Sequence, residues 1–532
     1  MKKILLCLLA AACLLTAAPR KPKLVLVIAI DQFRYDYLTR YRGEYHAGFD
    51  RLLTKGAVFT NARFRHFPPL TALGHSVILS GAMPSVSGIA GNEWYDRDEG
   101  QHVTSVSDSH TQLVGGNGGP GCSPHRLLVS TLGDELKMAD GGKSRVIGIS
   151  LKDRAAILMV GHMADGAYWF DPMSGNFVGS TYYFRELPGW VKDFNDSRPA
   201  EKYRGVAWLN HKMPAGLKEL YGTSDESPLE SSPFGNELVE LLAERAVTAE
   251  QLGRRDFTDV LAVSFTSNDK VGHDYGPDSP EARDTAVSAD QLIGKLFQTV
   301  DRQVGLDNVL VVLTGDHGAA PSPEVNAQRK MPGGRIQVTT LKQVAQAALE
   351  KKYGAGDWIV DAWDVSVYLN QSLIALRKLD PAEVDRTAAQ ALMAMPHIAR
   401  VYTREEIAHG ELLQDDIGRL IANGFNVRRG PDIEVVTDPY WIVRDKPASH
   451  TSPYGYDVHV PLIFMGPGIR AGRYDGSIAV NDVAPTLATM LEVETPSGSA
   501  GRVLSEILMY PPPSPADNST RPAAAGTIPR SP

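Results

Sequence analysis

The sequence is poor in cysteine, in excess positive charge and in long apolar runs. It has only 3 cysteines among 532 residues, and Cys7 and Cys13 both lie close to the N-terminus. Only Cys122 lies beyond that segment, so an internal disulfide is excluded and stability must come mainly from core packing. Lys and Arg number 54 against 62 Asp and Glu, a net charge of -8, so no nucleic-acid-binding surface is expected. No apolar run is long enough for a comfortable transmembrane segment.

The N-terminal residues have the pattern of a targeting segment. Lys2 and Lys3 precede an apolar stretch at 4–15, and small residues follow at 16–18. Residues 1–18 are therefore predicted to be a cleaved signal peptide, and the protein to be periplasmic or secreted. A lipoprotein anchored through Cys13 is a weaker alternative, because Ala10 stands where leucine is usual. At the other end, the proline-rich residues 511–532 are predicted to be disordered.

Apolar runs that predict buried strands alternate with helical patterns along the chain. The predicted strands are 24–30, 146–149, 260–263, 309–313 and 460–464, and helical patterns lie between them, for example at 236–247 and 289–300. This alternation is typical of an α/β fold with a mostly parallel central sheet and helices on both faces. We expect one catalytic domain over 24–510. Residues 330–433 have a mixed pattern of their own between two sheet strands, which predicts an inserted cap subdomain.

Acidic and imidazole side chains follow several of these strands. They are Asp31, Asp269, His273, Asp316, His317 and His450. Ligands bind at the carboxyl edge of open α/β sheets, and Asp and His are the usual oxygen and nitrogen ligands of zinc. Six such residues suit two zinc ions with three protein ligands each and open positions for substrate. Each residue alone has a plainer interpretation, as a helix cap, a turn former or a packed histidine.

Thr71, Lys152 and Arg154 are candidates for attacking and binding a phosphate group. Thr71 lies where an extended segment is predicted to turn into a helix, whose N-terminus favours anions, and its ionised hydroxyl could attack phosphorus. Lys152 and Arg154 follow the strand at 146–149 and are expected on one side of an extended chain, where they would grip phosphate oxygens. The amide of Asn92 could donate to the same group. The plainer alternatives are an N-cap threonine, a solvated charged turn and a turn asparagine.

The charges of these groups favour one class of substrate. Two zinc ions, three aspartates, two cations and an ionised Thr71 leave a surplus of about two positive charges, and a phosphate monoester carries about −2. A diester carries about −1 and has a substituent where Lys152 and Arg154 would reach. Small-molecule phosphate monoesters are therefore the predicted substrates.

In these candidate residues and the segments around them, the chain resembles the alkaline phosphatase superfamily. It is most similar to the PafA-type, phosphate-irrepressible alkaline phosphatases, which overlap the type I phosphodiesterase/nucleotide pyrophosphatase group. The segments that carry the resemblance are AIDQ at 29–32, TALGH at 71–75, GNEWYD at 91–96, SLKDR at 150–154, DKVGH at 269–273, GDHG at 315–318, and His450 before YDVHVP at 456–461. The resemblance implies an alkaline-phosphatase-like sandwich fold.

The resemblance also implies a role for each candidate residue. Thr71 would be the nucleophile and would form a phosphothreonine, with the phosphate held by Asn92, Lys152 and Arg154. One zinc ion would take Asp269, His273 and His450, with His459 as a competing candidate for the last ligand. The other would take Asp31, Asp316 and His317, with Thr71 directed toward it.

Three other functions stay open. A phosphodiesterase or nucleotide pyrophosphatase would share the metal ligands and Thr71 but would not need Lys152 and Arg154. A sulfatase is less favoured, since the C-x-P-x-R pattern at 122–126 lies far downstream of the position that Thr71 holds. A non-catalytic metal-dependent binding protein would retain a ligand without turnover. Ligand type alone does not exclude manganese, iron or calcium. A monomer is the simplest expectation.

Overall fold

The computed structural model describes residues 21–509, apart from 224–225, 411, 413 and 445. The predicted signal peptide at 1–18 and the predicted tail at 511–532 lie outside the described residues. The strands are β1 Leu24–Ile30, β2 Ala57–Arg63, β3 Glu93–Asp96, β4 Gln101–Thr104, β5 Ser107–Val114, β6 Pro120–Cys122, β7 Val146–Ser150, β8 Gly166–Asp171, β9 Asn176–Ser180, β10 Ala207–Trp208, β11 His211–Lys212, β12 Asp259–Phe265, β13 Val309–Gly315, β14 Gly334–Ile336, β15 Ile359–Trp363, β16 Ser366–Leu369, β17 Ile398–Thr403, β18 Ile433–Thr437, β19 Trp441–Val443, β20 His459–Met465, β21 Gly472–Tyr474 and β22 Ile478–Ala479.

Helices connect these strands. The α-helices are α1 Tyr35–Arg40, α2 Gly48–Lys55, α3 Thr71–Ser80, α4 Pro84–Ser87, α5 Leu132–Asp140, α6 Asp153–Val160, α7 Gly189–Asp196, α8 Leu217–Tyr221, α9 Pro233–Ala249, α10 Ser267–Tyr275, α11 Pro280–Val304, α12 Pro323–Gln328, α13 Val338–Tyr353, α14 Gln371–Leu376, α15 Pro381–Met393, α16 Arg404–Ala408, α17 Asp416–Gly424, α18 Gly455–Val458 and α19 Val483–Leu491. Short 3-10 turns lie at Arg42–Glu44, Pro199–Tyr203, Leu306–Asn308, Val480–Asp482 and Ser505–Ile507.

A twelve-stranded sheet organises the larger part of the described chain, in the order β21-β2-β20-β13-β1-β12-β7-β8-β9-β5-β6, with β22 paired to β2. The central strands β13, β1, β12, β7 and β8 run parallel to one another. Strand β20 was predicted only as a member of a mostly parallel sheet, and it pairs antiparallel with β13. The α/β prediction is confirmed.

The central strands are buried on both faces. In β1, residues Leu24, Leu26 and Ile28 pack into one hydrophobic core, and Val25 and Val27 pack into the other. Successive side chains of a strand point to opposite faces, so a strand covered by helices on both sides must be apolar at every position. The continuous apolar runs in the sequence follow from this double burial.

A second, smaller unit follows β13 in the chain. Its antiparallel sheet has the order β15-β16-β18-β17, and helices α13 and α15 pack beside it around a separate hydrophobic core. Its helix α17 contacts the segment that leads to Thr71: Phe67 N–H donates to Leu420 O at 3.0 Å, and Asn423 Nδ2 donates to Arg65 O at 2.6 Å. The last strand of this sheet ends at Thr437 and thus extends past the predicted boundary at 433.

None of the described helices combines the length and the apolarity that a membrane crossing requires.

Glu240 is a buried acid on α9, where that helix packs against α11. Its side chain has no exposed surface. Burial, with a further contribution from Glu244, raises the pKa of Glu240 to about 8 from an ordinary value of 4.5. Because the protonated form is favoured in the folded state, the fold is destabilised increasingly as pH rises above the ordinary value and up to the folded value.

We predict that Glu240→Gln raises the free energy of unfolding by roughly 2–4 kcal/mol more at pH 9 than at pH 5, because glutamine has no charge to bury. Urea unfolding at both pH values measures this difference. Glu494→Gln, at an exposed position, is the control and should change neither value. Equal stabilisation by Glu240→Gln at both pH values would contradict the prediction.

Candidate active site

Four neighbouring strands of the main sheet end side by side. Ile30 of β1 pairs with Phe265 of β12 and with Gly315 of β13, so these three strands end in register. Ser150, at the end of β7, pairs with Ser264. The residues that follow these strands therefore meet at the same edge of the sheet. All of the residues predicted as metal ligands, and Lys152, come together there.

The first group of candidate ligands lies on α10, with Asp269 in its first turn and His273 in its last, and on the loop before α18. Asp269 Oδ1 lies 3.1 Å from His273 Nε2, and His450 Nε2 lies 3.3 Å from His273 Nε2 and 3.7 Å from Asp269 Oδ1. Because α10 begins at Ser267, Asp269 and His273 share one helix face, as their spacing predicts.

Backbone carbonyls fix the proton on both imidazoles of this group. His273 Nδ1–H donates to Ala448 O at 2.8 Å, and His450 Nδ1–H donates to Pro69 O at 2.8 Å. A carbonyl only accepts, so Nδ1 carries the proton and Nε2 keeps a lone pair directed into the group. Burial lowers the pKa of His450, which favours the neutral form that binds metals.

The second group surrounds His317. Asp31 Oδ1 and Asp316 Oδ2 each lie 3.4 Å from His317 Nε2, and Thr71 Oγ1 lies 3.5 Å from the same nitrogen. His317 Nδ1–H donates to Gly318 O at 3.0 Å. Asp269 also has a ligand atom within 4.8 Å of those of Asp31 and His317, so it lies between the two groups.

The first group fits a tetrahedral metal ion, and the second has similar separations around His317 Nε2. Bonds of about 2.0–2.2 Å to a tetrahedral ion place neighbouring ligand atoms roughly 3.3–3.5 Å apart. The separations in the first group are 3.1, 3.3 and 3.7 Å, and His317 Nε2 lies 3.4 Å from each of the two carboxylate oxygens in the second. Asp31 Oδ1 and Asp316 Oδ2 are buried without a hydrogen-bond partner, and ion coordination would satisfy such atoms. The identity and number of the ions stay a prediction.

Lys152 lies among the carboxylates. Its Nζ is 2.7 Å from Asp31 Oδ2 and 2.6 Å from Asp269 Oδ2, and 3.4 Å from Thr71 Oγ1. Burial lowers the pKa of Lys152, but the charges of Asp269 and Asp31 outweigh burial and raise it. The ammonium group therefore neutralises part of a strongly negative cluster beside the Thr71 hydroxyl.

Thr71 is the first residue of α3, as the sequence predicts, and its side chain is buried. Asn92 Oδ1 accepts from the Ala72 N–H at 2.8 Å, so this side chain sits at the same helix N-terminus. Gly74 lets the helix approach the end of β13, because a Cβ there would lie 2.2 Å from Asp316 O. The hydroxyl is thereby held against the second ligand group.

Arg154 departs from the prediction. Helix α6 begins at Asp153, so Lys152 is extended and Arg154 already lies in the first helical turn. The two cations therefore do not alternate along an extended chain, and that part of the prediction was wrong. The helix-forming residues 155–160 follow, which explains why α6 begins so soon after β7 ends. The Arg154 side chain is 26% exposed, and its Nε is buried without a hydrogen-bond partner.

Two residues at the site were given no role from the sequence. His75, one turn after Thr71, binds Thr71 O through Nδ1 at 2.8 Å and Ser264 Oγ through Nε2 at 2.8 Å. Its spacing of four residues from Thr71 could have revealed it. Gln32, next to Asp31, contacts Asp269 and Asp316. No local pattern in the sequence indicates these contacts.

His459 and Cys122, the residues of the competing predictions, contact residues outside the two ligand groups. His459 Nε2 binds Thr60 O at 2.9 Å, and its ring stacks on Tyr35. His450 is the histidine that joins the first ligand group. Cys122, the residue on which a sulfatase would depend, lies in edge strand β6, and its Sγ contacts Asp153 Oδ2 at 3.4 Å.

The comparisons with known proteins agree with this geometry. The family model for type I phosphodiesterase/nucleotide pyrophosphatase matches residues 25–457. Alkaline phosphatase PafA of Elizabethkingia meningoseptica is 35% identical over 528 residues, which cover 93% of this chain and 96% of PafA. Alkaline phosphatase PhoV of Synechococcus elongatus is 35% identical over 518 residues, which cover 92% and 93% of the two chains. A protein of Myroides odoratus named calcium-transporting ATPase is 34% identical over 535 residues, 94% of this chain and 97% of its own.

Solved structures show the same fold. A crystal structure of wild-type PafA superposes with a TM-score of 0.85 at 34% identity and covers 92% of this chain and 100% of PafA. A PafA variant in which a threonine, an asparagine, a lysine and an arginine are replaced superposes with a TM-score of 0.84. The predicted alkaline-phosphatase-like fold is thus confirmed. The chain belongs to the type I phosphodiesterase/nucleotide pyrophosphatase family, and within the alkaline phosphatase superfamily to its PafA-type members.

Proposed function

We propose that this protein is a metal-dependent alkaline phosphatase that hydrolyses phosphate monoesters, with two zinc ions and with Thr71 as the nucleophile. One observation carries the proposal: a buried threonine hydroxyl lies 3.5 Å from His317 Nε2 and 3.4 Å from Lys152 Nζ, beside two groups of metal-ligand type. This is the arrangement of a nucleophile with adjacent positive charge.

Asp269, His273 and His450 would hold one ion, and Asp31, Asp316 and His317 would hold the other. The ions, when bound, supply positive charge that stabilises the attacking and leaving oxygens. Five of these residues follow strand ends or lie on helix α10, and His450 lies on the loop before α18. The chain's own residues then have to bind the phosphate, orient it and provide the attacking oxygen.

Thr71 would lose its hydroxyl proton to solvent and attack phosphorus through Oγ1. The Thr71 oxygen–phosphorus bond forms as the bond from phosphorus to the leaving oxygen breaks, and the leaving alkoxide takes a proton from water. A water molecule then attacks the phosphothreonine, releases inorganic phosphate and returns the threonine oxygen, which regains its proton. The helix N-terminus at Thr71 favours the phosphate charge in both steps.

Lys152, Arg154 and Asn92 would bind the oxygens of the phosphate. The replaced residues of the PafA variant are of the same types as Thr71, Asn92, Lys152 and Arg154, which supports treating these four as a unit. Three non-bridging oxygens of a monoester give each donor a partner. A phosphodiesterase is the second candidate, because the matching family model is named for that activity. A diester would leave Arg154 without a charged partner oxygen.

We further propose that residues 330–433 act as a cap and that the protein is periplasmic or secreted. The contacts of helix α17 with Phe67 and Arg65 support the first proposal, because they tie the smaller unit to the segment before Thr71. The basic and apolar N-terminal pattern supports the second. A monomer also stays a prediction.

We predict that Thr71→Ala lowers kcat for an aryl phosphate monoester by at least about 10³-fold, because the attacking oxygen is removed. Zinc content should stay at the wild-type level, since the six remaining ligands are intact. Steady-state kinetics and metal analysis of the same sample measure both. Thr54→Ala, at an exposed helix position, is the control. Near-normal kcat in Thr71→Ala would reject the covalent route.

Arg154→Ala should separate the two candidate activities. We expect kcat/KM to fall about 10²-fold for an aryl monoester and less than about 10-fold for the matching methyl diester, because Arg154 would bind the oxygen that the diester esterifies. Arg198→Ala, with a side chain that is 72% exposed, should change neither. A wild-type preference for the diester would favour the phosphodiesterase instead.

Removal of the metal should abolish turnover. Dialysis against a chelator is expected to stop hydrolysis and to lower the melting temperature, because the buried carboxylates lose their counter-charge. Restored zinc should bind at about two ions per chain and recover activity better than manganese, iron or calcium. Full activity in protein shown to be free of metal would contradict the proposal.

A further inference from the structure

Gln32 joins two candidate metal ligands that come from different strands. Its backbone N–H donates to Asp316 Oδ1 at 3.0 Å, and its side-chain Nε2 donates to Asp269 Oδ1 at 2.7 Å. The glutamine is only 2% exposed. It stands two residues after the end of β1, the strand that lies between β12 and β13 in the sheet. One residue thus contacts a carboxylate of each ligand group.

The backbone of Gln32 adopts a conformation that needs support. Its φ is 59°, in the left-handed region that residues with a side chain seldom adopt. Gly272 of α10 leaves room for the Gln32 side chain, because a Cβ on Gly272 would lie 1.8 Å from Gln32 Oε1. Helix α10 therefore packs directly on the glutamine side chain. Strained residues of this kind persist where the surrounding structure holds them.

The two donations from Gln32 do not take up the carboxylate positions that lie nearest to the imidazoles. On Asp316, the Gln32 N–H takes Oδ1, while Oδ2 lies 3.2 Å from His75 Nδ1 and 3.4 Å from His317 Nε2. On Asp269, a carboxylate oxygen has two acceptor positions. The Gln32 amide occupies one of them on Oδ1, and the other remains for an ion beside His273 Nε2, at 3.1 Å.

A glutamine side chain has no charge, which is an advantage beside three carboxylates. Asp31, Asp269 and Asp316 already bring three carboxylates together in a buried cluster. A neutral side chain that donates hydrogen bonds can orient two of them without adding negative charge or competing for the ion.

We infer that Gln32 is a positioning residue that holds Asp269 and Asp316 in metal-binding geometry and so couples the two metal sites. This inference rests on the proposed metal-dependent function. Loss of such a supporting hydrogen bond commonly costs 10–100-fold in metal affinity.

The test uses two variants, Gln32→Met and Gln32→Leu, that delete the side-chain donation to Asp269, keep the backbone donation to Asp316 and keep a side chain of similar volume. Gln251→Leu is the matched control, because Gln251 also has a left-handed backbone, with φ of 52°, but is exposed. Each full-length protein is equilibrated with buffered free zinc, and bound zinc per chain is measured. Circular dichroism and melting of the metal-free proteins check folding.

We expect both Gln32 variants to need about 10–100-fold more free zinc for half-occupancy of the weaker site, with metal-free melting close to wild type. Gln251→Leu should bind zinc like the wild type. A lower melting temperature with an unchanged zinc titration would overturn the inference, because it would show a purely structural role. If the wild type binds zinc but hydrolyses no monoester, the proposed function fails, while the zinc titration still decides on Gln32.

Discussion

Three buried carboxylates, those of Asp31, Asp269 and Asp316, have to be accommodated beside one another. Burial together with the charges of Asp269 and Asp316 raises the pKa of Asp31, which shows the cost of a third negative charge in this space. Taking such charges out of water costs several kcal/mol per ion unless opposite charge compensates them. Lys152 supplies one positive charge through its contacts with Asp31 and Asp269. Metal ions between the imidazoles would supply the rest, so the site and its cofactor are one electrostatic unit.

The geometry of this unit follows from the sheet. Strands β1, β12 and β13 end in register, so each delivers its ligands to the same depth, and helices on both faces leave the strand ends little freedom to move. Thr71 belongs to a different element, but Gly74 lets α3 approach Asp316, and His75 fixes the first helical turn. His450 is the candidate metal ligand that the loop before α18 supplies. Its position depends on the carbonyl of Pro69, in the same segment that helix α17 contacts.

The sequence predicts the central sheet because double burial leaves an unmistakable apolar run, as at 309–313. It also predicts which residues converge, since Asp316 and His317 directly follow such a run. The antiparallel direction of β20 could not be predicted, because an apolar strand has the same pattern in either direction. The start of α6 was missed at Arg154, because the boundaries of short elements depend on packing. The contacts of Gln32 join residues 237 and 284 positions apart, and no local pattern encodes them.

X-ray diffraction from crystals grown with zinc, measured on both sides of the zinc absorption edge, tests the central claim most directly. The account predicts two anomalous peaks about 4 Å apart. One should lie among Asp269, His273 and His450, and the other among Asp31, Asp316 and His317, beside the Thr71 hydroxyl. Peaks at other places on the molecule, or ordered crystals of active protein without a peak at this edge of the sheet, would contradict it.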